Sequence, residues 1–138
     1  MLQESDVSKS IQDFLKIKNY FTIRLNTGKI EDKYGYFVKL CDEGTPDIMV
    51  YKDGQLYFFE VKRGEKERAS WKRHVTKFLE APIINPISKE RRRAAAQYKM
   101  MRQAAKEGAL CFVVITVEEV ISILEKGLLG DNVIKVTT

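Results

Sequence analysis

The chain has 138 residues, 44% hydrophobic and 31% charged, with a formal net charge of +5. That length suits one domain with a real core, and that balance excludes a disordered polymer. The basic surplus favours an anionic partner, most commonly nucleic acid. No apolar run reaches the length of a membrane span, and the opening residues are polar and acidic rather than signal-like, so no membrane contact and a cytoplasmic setting are expected.

Residues 4–18 place Val7, Ile11, Phe14 and Leu15 at helical spacing and predict a helix. Glu4 is then either a first-turn acid that favours the helix dipole or, if the helix starts that early, part of its inward face. Tyr20 to Leu25 predicts the first strand, and Asn26, Gly28 and a polar loop with Lys29, Lys33 and Gly35 follow. Arg24 is a cleft or phosphate contact, or an ordinary strand-end charge. Tyr36 to Cys41 predicts a second strand. Asp42 and Glu43 read as loop charges, with Glu43 also a candidate outer neighbour of a site.

The densest stretch follows. Gly44 to Val50 and Leu56 to Lys62 predict two antiparallel strands joined at Asp53-Gly54, a pair that tolerates the positive φ of a type I′ turn. Side chains alternate along a strand, so Glu60 and Lys62 share one face and Val61 takes the other. Asp47 opens the partner strand opposite that end, which puts its carboxylate beside Glu60 and Lys62. Two carboxylates and an ammonium are costly to bury unless paired or bound to metal, and carboxylates are hard ligands for a divalent cation.

Arg63 to Arg68 predicts a solvated charged turn. Ala69 to Glu80 places Trp71, Val75, Phe78 and Leu79 at helical spacing among Lys72, Arg73, His74 and Lys77, and Pro82 and Pro86 break that helix. This segment reads as a DNA-binding flap with Trp71 stacking, a dimer contact, or a plain amphipathic helix; packing is the favoured role for Trp71. Ser88 predicts a helix cap, followed by Arg91, Arg92 and Arg93. Positive charge there opposes the dipole, which a bound phosphate would offset; the alternative is a solvated charge run. Gln97 is polar on a stripe with Ala94, Met101 and Ala104, and Gly108 ends the helix. Ala109 to Ile115 predicts a buried central strand, Thr116 to Glu119 a capping box for a helix to about Lys126, and Asn132 to Val136 a short strand or a partner contact. Cys41 and Cys111 lie in apolar runs and read as buried free thiols; a single histidine, His74, excludes a multi-histidine metal site.

Five segments in order resemble the PD-(D/E)XK nuclease superfamily, and within it the VRR-NUC family of small, phage-type stand-alone members. They are Glu4, Arg24-Leu25-Asn26-Thr27-Gly28, Gly44-Thr45-Pro46-Asp47, Glu60-Val61-Lys62 and Gln97. The resemblance spans roughly residues 3–125. It implies a restriction-endonuclease-like α/β core over residues 1–138, a mixed central sheet flanked by helices in αβββαβα order. Residues 69–90 then form a helical insertion after the third strand. It also implies that Glu4, Asp47, Glu60, Lys62 and Gln97 meet at one end of the sheet as catalytic residues. Asp47, Glu60 and the Val61 carbonyl would hold Mg²⁺, for which Mn²⁺ should substitute. Lys62 would orient the attacking water or stabilise developing charge, with Glu4 and Gln97 in support. Arg24, Asn26, Lys72, Arg73, Arg91, Arg92 and Arg93 are the DNA-contact candidates.

The expected activity is Mg²⁺-dependent hydrolysis of DNA phosphodiesters by a homodimer of Holliday-junction-resolvase type, cytoplasmic in the host if phage-encoded. A flap or duplex nuclease of the same fold is the alternative. A non-catalytic nucleic-acid-binding module or a toxin–antitoxin-like interaction protein are further readings. The first of these leaves Asp47, Glu60 and Lys62 unexplained, because carboxylates near phosphate weaken binding without a metal.

Overall fold

The computed structural model describes residues 3–25, 29–31, 33–34, 37–39, 43–81 and 88–138, with 29–31 and 37–39 described through strand pairing alone. Along the chain lie α1 (Glu4–Ile17), β1 (Phe21–Arg24), β2 (Lys29–Glu31), β3 (Phe37–Lys39), β4 (Ile48–Lys52) and β5 (Gln55–Val61). They are followed by α2 (Glu65–Glu80), α3 (Lys89–Lys106), β6 (Leu110–Val114), α4 (Val117–Ile121) with a π-helical turn (Ser122–Lys126), and β7 (Ile134–Val136).

The β4–β5 hairpin sets the register of everything else. Asp53 and Gly54 take φ of 50° and 79°. Those values suit a two-residue I′ turn, whose twist matches the strands it joins. Lys52 therefore pairs with Gln55 and Ile48 with Phe59. β1 adds antiparallel to β4, β6 adds parallel to β5, and β7 adds antiparallel to β6. The result is a mixed five-stranded sheet in the order β1-β4-β5-β6-β7.

Alternation along these strands divides the core in two. Ile48, Val50, Phe59, Val61, Phe112 and Val114 face α1, α4 and the π-helical turn, where Val7, Ile11, Leu15, Val120 and Leu124 close over them. Phe58, Cys111, Val113 and Val136 face α2 and α3, where Trp71, Val75, Ala94 and Met101 close over them. Helices thus flank the sheet on both sides. The parallel β5–β6 pair lies at its middle, where both faces are covered, as parallel strands require. Cys111 is a buried free thiol, as its apolar run predicts, and burial pushes it up to about 11.

Two elements differ from the sequence reading. Lys29–Glu31, expected as polar loop, is a strand; it pairs with Phe37–Lys39 in a separate two-stranded sheet. Three residues, two of them charged, are too short to show a period. The charged run at 63–68 is not a solvated turn. α2 starts at Glu65, and Arg68 is buried to 1% exposure. Its guanidinium donates to both Glu119 oxygens at 2.8 and 2.9 Å, to the Val113 carbonyl at 3.2 Å and to Glu65 at 2.8 Å. Glu119, 51 sequence positions beyond Arg68, supplies the counter-charge that a local reading cannot see. Ser88 and Thr116 cap α3 and α4 as expected, each accepting from the backbone amide three residues on. Asn26 and Cys41 lie outside the described residues, as do the two prolines expected to break α2.

Candidate metal centre

Asp47 precedes β4 by one residue and lies on the face opposite to Ile48, the α3 side. Hydrogen bonds fix it: its carbonyl accepts from the Leu25 amide at 2.8 Å, and its Oδ2 accepts from the Val61 amide at 2.8 Å. The loop that carries it rests on α3 through Gly44. That residue has φ +87°, and a Cβ there would fall 2.5 Å from the Ala96 carbonyl carbon and oxygen and 2.9 Å from the Gln97 amide nitrogen. Only glycine permits both the left-handed backbone and this approach. The Asp47 loop and the helix turn carrying Gln97 are therefore in direct backbone contact.

Glu60 shares that face and is buried to 1% exposure. Its Oε2 lies 3.5 Å from Lys62 Nζ, while its Oε1 has no hydrogen-bond partner among the described residues. Burial holds the Glu60 carboxyl well above the usual carboxylate range; the charge of Asp47 pushes the same way, Lys62 opposes it, and a side-chain hydrogen bond with Asp47 raises it further. Glu4, the first residue of α1, brings a third carboxylate. Burial raises its pKa first, then the charge of Asp47, with Lys62 again opposing. One oxygen from each of Glu4, Asp47 and Glu60 lies within 4.8 Å of the others.

Lys62 continues the β5 direction; its amide donates to the Val114 carbonyl at 2.8 Å. Its ammonium also donates to Gln97 Oε1 at 3.3 Å, and the same oxygen accepts from Trp71 Nε1 at 2.8 Å. Both partners are donors, so the Gln97 amide must present its oxygen to them. Gln97 and Trp71 are themselves buried at 2% and 5% exposure. A cleft of about 160 Å³ is lined by Glu4, Lys62, Trp71 and Gln97 of this group and by Glu67, His74, Glu90 and Arg93 of α2 and α3; Asp47 and Glu60 lie behind Glu4 and Lys62 and do not line it.

The structure thus brings together Glu4, Asp47, Glu60, Lys62 and Gln97, all named from sequence. It adds Trp71, which packs in the core and orients Gln97 instead of presenting a free face for stacking. The heptad-like spacing of Trp71 marked it as buried; nothing in the sequence marked its indole N–H as a donor to Gln97. Arg93 reaches the cleft. Arg92 is exposed and lies 3.7 Å from Glu43, so Glu43 serves that pair and stands outside the carboxylate group. Lys72 and Arg73 are exposed on α2 and do not line the cleft, nor does Arg91. Arg24 pairs with Ile48 and so belongs to the opposite face of the sheet from Glu60.

Three carboxylates around one point are a hard-oxygen donor set, and a buried carboxylate oxygen without a partner is an unmet demand for positive charge. The residues fit a divalent cation such as Mg²⁺. Two oxygens bound to one Mg²⁺ lie at most about 4.2 Å apart, and the group requires little contraction to meet that limit. Among the described residues no helix is long and apolar enough to cross a membrane. Comparison of the chain with protein-family models, with curated proteins and with solved structures gave no match.

Proposed function

We propose that this protein is a divalent-metal-dependent endonuclease that hydrolyses DNA phosphodiester bonds, of the PD-(D/E)XK type that its motifs resemble. The observation that carries the proposal is the meeting of Glu4, Asp47 and Glu60 oxygens within 4.8 Å, with the Lys62 ammonium 3.5 Å from Glu60. A purely structural cluster of this kind would be expensive, because burial and mutual repulsion both disfavour its charge. The order of the central-sheet elements, with α2 taken as the insertion and β7 as an added edge, is compatible with the αβββαβα core.

When bound, the cation neutralises phosphate charge, polarises the phosphoryl oxygen and lowers the pKa of water. Asp47 and Glu60 would hold it, with the Val61 carbonyl as a further ligand by resemblance. The Val61 amide fixes Asp47 from the same backbone segment. Glu4 completes the carboxylate set. Lys62, held between Glu60 and Gln97, would orient the attacking water or stabilise the charge that develops on the phosphoryl group. Trp71 fixes Gln97 and, through it, Lys62. Arg93 at the cleft mouth is the phosphate contact among the arginines of α3.

The substrate class we favour is a branched junction, cut symmetrically by the two sites of a homodimer. The test is a cleavage panel of junction, flap, duplex and single-stranded DNA with Mg²⁺ or Mn²⁺. Asp47→Asn and Lys62→Ala should each lower the rate by about 100-fold or more while DNA binding persists. Cleavage that survives both substitutions, or that proceeds equally in chelator, would remove the metal reading. A monomer by light scattering would remove the symmetric-junction reading alone.

A further inference from the structure

We infer that the groove under the C-terminal end of α2 is a second nucleic-acid-binding site, one that takes a short run of single strand through backbone charge and base stacking. α2 crosses α3 with Trp71 and Val75 in the seam against Ala94 and Met101. On one side of the crossing, α2 overhangs the candidate metal centre. On the other, Phe78 and Leu79 overhang a separate groove of about 330 Å³, whose far wall is α3 with Tyr98, Lys99, Arg102 and Lys106. The two openings share no lining residue.

The chemistry of this groove is specific in three ways. No residue lining it is acidic. Lys99, Arg102 and Lys106 make no ion pair among the described residues, and the Lys99 ammonium instead sits 4.8 Å from the Phe78 ring centroid. Leu79 at its rim is 50% exposed, so the apolar wall continues to the surface. Lys106 lies seven positions after Lys99 on α3, so the three cations form a row roughly 10 Å long. A row of three unpaired cations of that length can run beside successive phosphates of a single-strand backbone. Tyr98, and Phe78 once the Lys99 ammonium turns from its ring to a phosphate, supply ring faces that unstacked bases can cover, an interaction every base can make. A duplex keeps its bases stacked inside and cannot reach rings recessed between two helices. An acidic peptide matches the cations but offers nothing planar to the rings. The inference does not depend on the catalytic proposal, because it concerns different residues and needs no metal.

The test is fluorescence anisotropy of a labelled oligothymidylate of about 12 nucleotides, bound to the full chain in chelator over a range of salt. The triple variant Lys99→Ala/Arg102→Ala/Lys106→Ala alters only exposed side chains. It should flatten the slope of log affinity against log salt by about 2. A charge-matched control, Lys9→Ala/Lys16→Ala/Lys135→Ala, should leave the slope near that of the parent. Phe78→Leu, with folding checked by thermal melting, should weaken binding about tenfold at unchanged slope. Equal slopes for the two triple variants would overturn the inference. So would poly-glutamate competing as well as the oligonucleotide, which would reassign the groove to acidic peptides.

Discussion

Replacing Glu60 by glutamine should make the metal-free protein more stable while abolishing its response to metal. Glu60 is almost wholly buried, and burial followed by the charge of Asp47 pushes its pKa up. At an effective dielectric near 20, charges within 4.8 Å of each other, as one oxygen of each carboxylate is, repel by at least about 3.5 kcal/mol. Glu60 faces two such neighbours, Asp47 and Glu4. Lys62 at 3.5 Å returns about 4.7 kcal/mol. For the ionised group a net repulsion of at least about 2 kcal/mol then remains before desolvation is counted. The neutral amide keeps the shape and relieves this, so the melting temperature in chelator should rise by roughly 6–10 °C. The pH dependence has a definite sign. A carboxyl whose folded pKa is raised binds its proton more readily when folded, so stability climbs as pH falls from above that raised value towards the unfolded value of 4.5. Glu4 acts in the same direction. The parent protein should therefore melt higher near pH 5 than near pH 8, and Glu60→Gln should flatten that trend. With Mg²⁺ at about 100 times its dissociation constant the parent gains about 2.7 kcal/mol, and the variant should gain little. Differential scanning calorimetry in chelator and in Mg²⁺ reads all three effects. A lower melting temperature for the metal-free variant would refute the reasoning, since Glu60 would then be a stabilising partner of Lys62 and not an unmet ligand.

Trp71→Phe keeps the ring in the seam but removes the donor to Gln97; it should cost about 1 kcal/mol of stability and lower kcat several-fold with little change in KM. Urea titration and steady-state cleavage separate the two effects. Gly44→Ala meets both a left-handed backbone and a 2.5 Å approach to Ala96, so it should destabilise by more than about 2 kcal/mol and weaken the Mg²⁺-induced rise in melting temperature. Arg68→Ala strands the Glu119 carboxylate, which is only 16% exposed, and should cost about 3–5 kcal/mol. Chemical denaturation reads this, and a cost within error of an exposed α2 substitution such as Lys72→Ala would contradict the burial argument.

Much of this site could be read in the chain because its determinants are local. Asp53-Gly54 fixes a two-residue turn, the turn fixes which residue of β4 faces which of β5, and a period of two then puts Asp47, Glu60 and Lys62 on one face. Glu4 and Gln97 reached the same place only through the resemblance, since α1 and α3 reveal an inward stripe but not where along the sheet that stripe docks. Arg68 shows the limit from the other side. Within 63–68 it is one charge among several, and only the fold brings Glu119 and the Val113 carbonyl to it.

Local backbone preference and side-chain periodicity therefore set the elements, the central hairpin and the polarity of its faces. Packing decided what followed: that Gly44 presses the Asp47 loop onto α3, that the Trp71 indole turns the Gln97 oxygen towards Lys62, and that Arg24 lies across the sheet from the carboxylates. Each of these depends on the distance and angle between separately formed elements. Those are set by how side chains from remote parts of the chain fill common space, a quantity that no window of sequence contains.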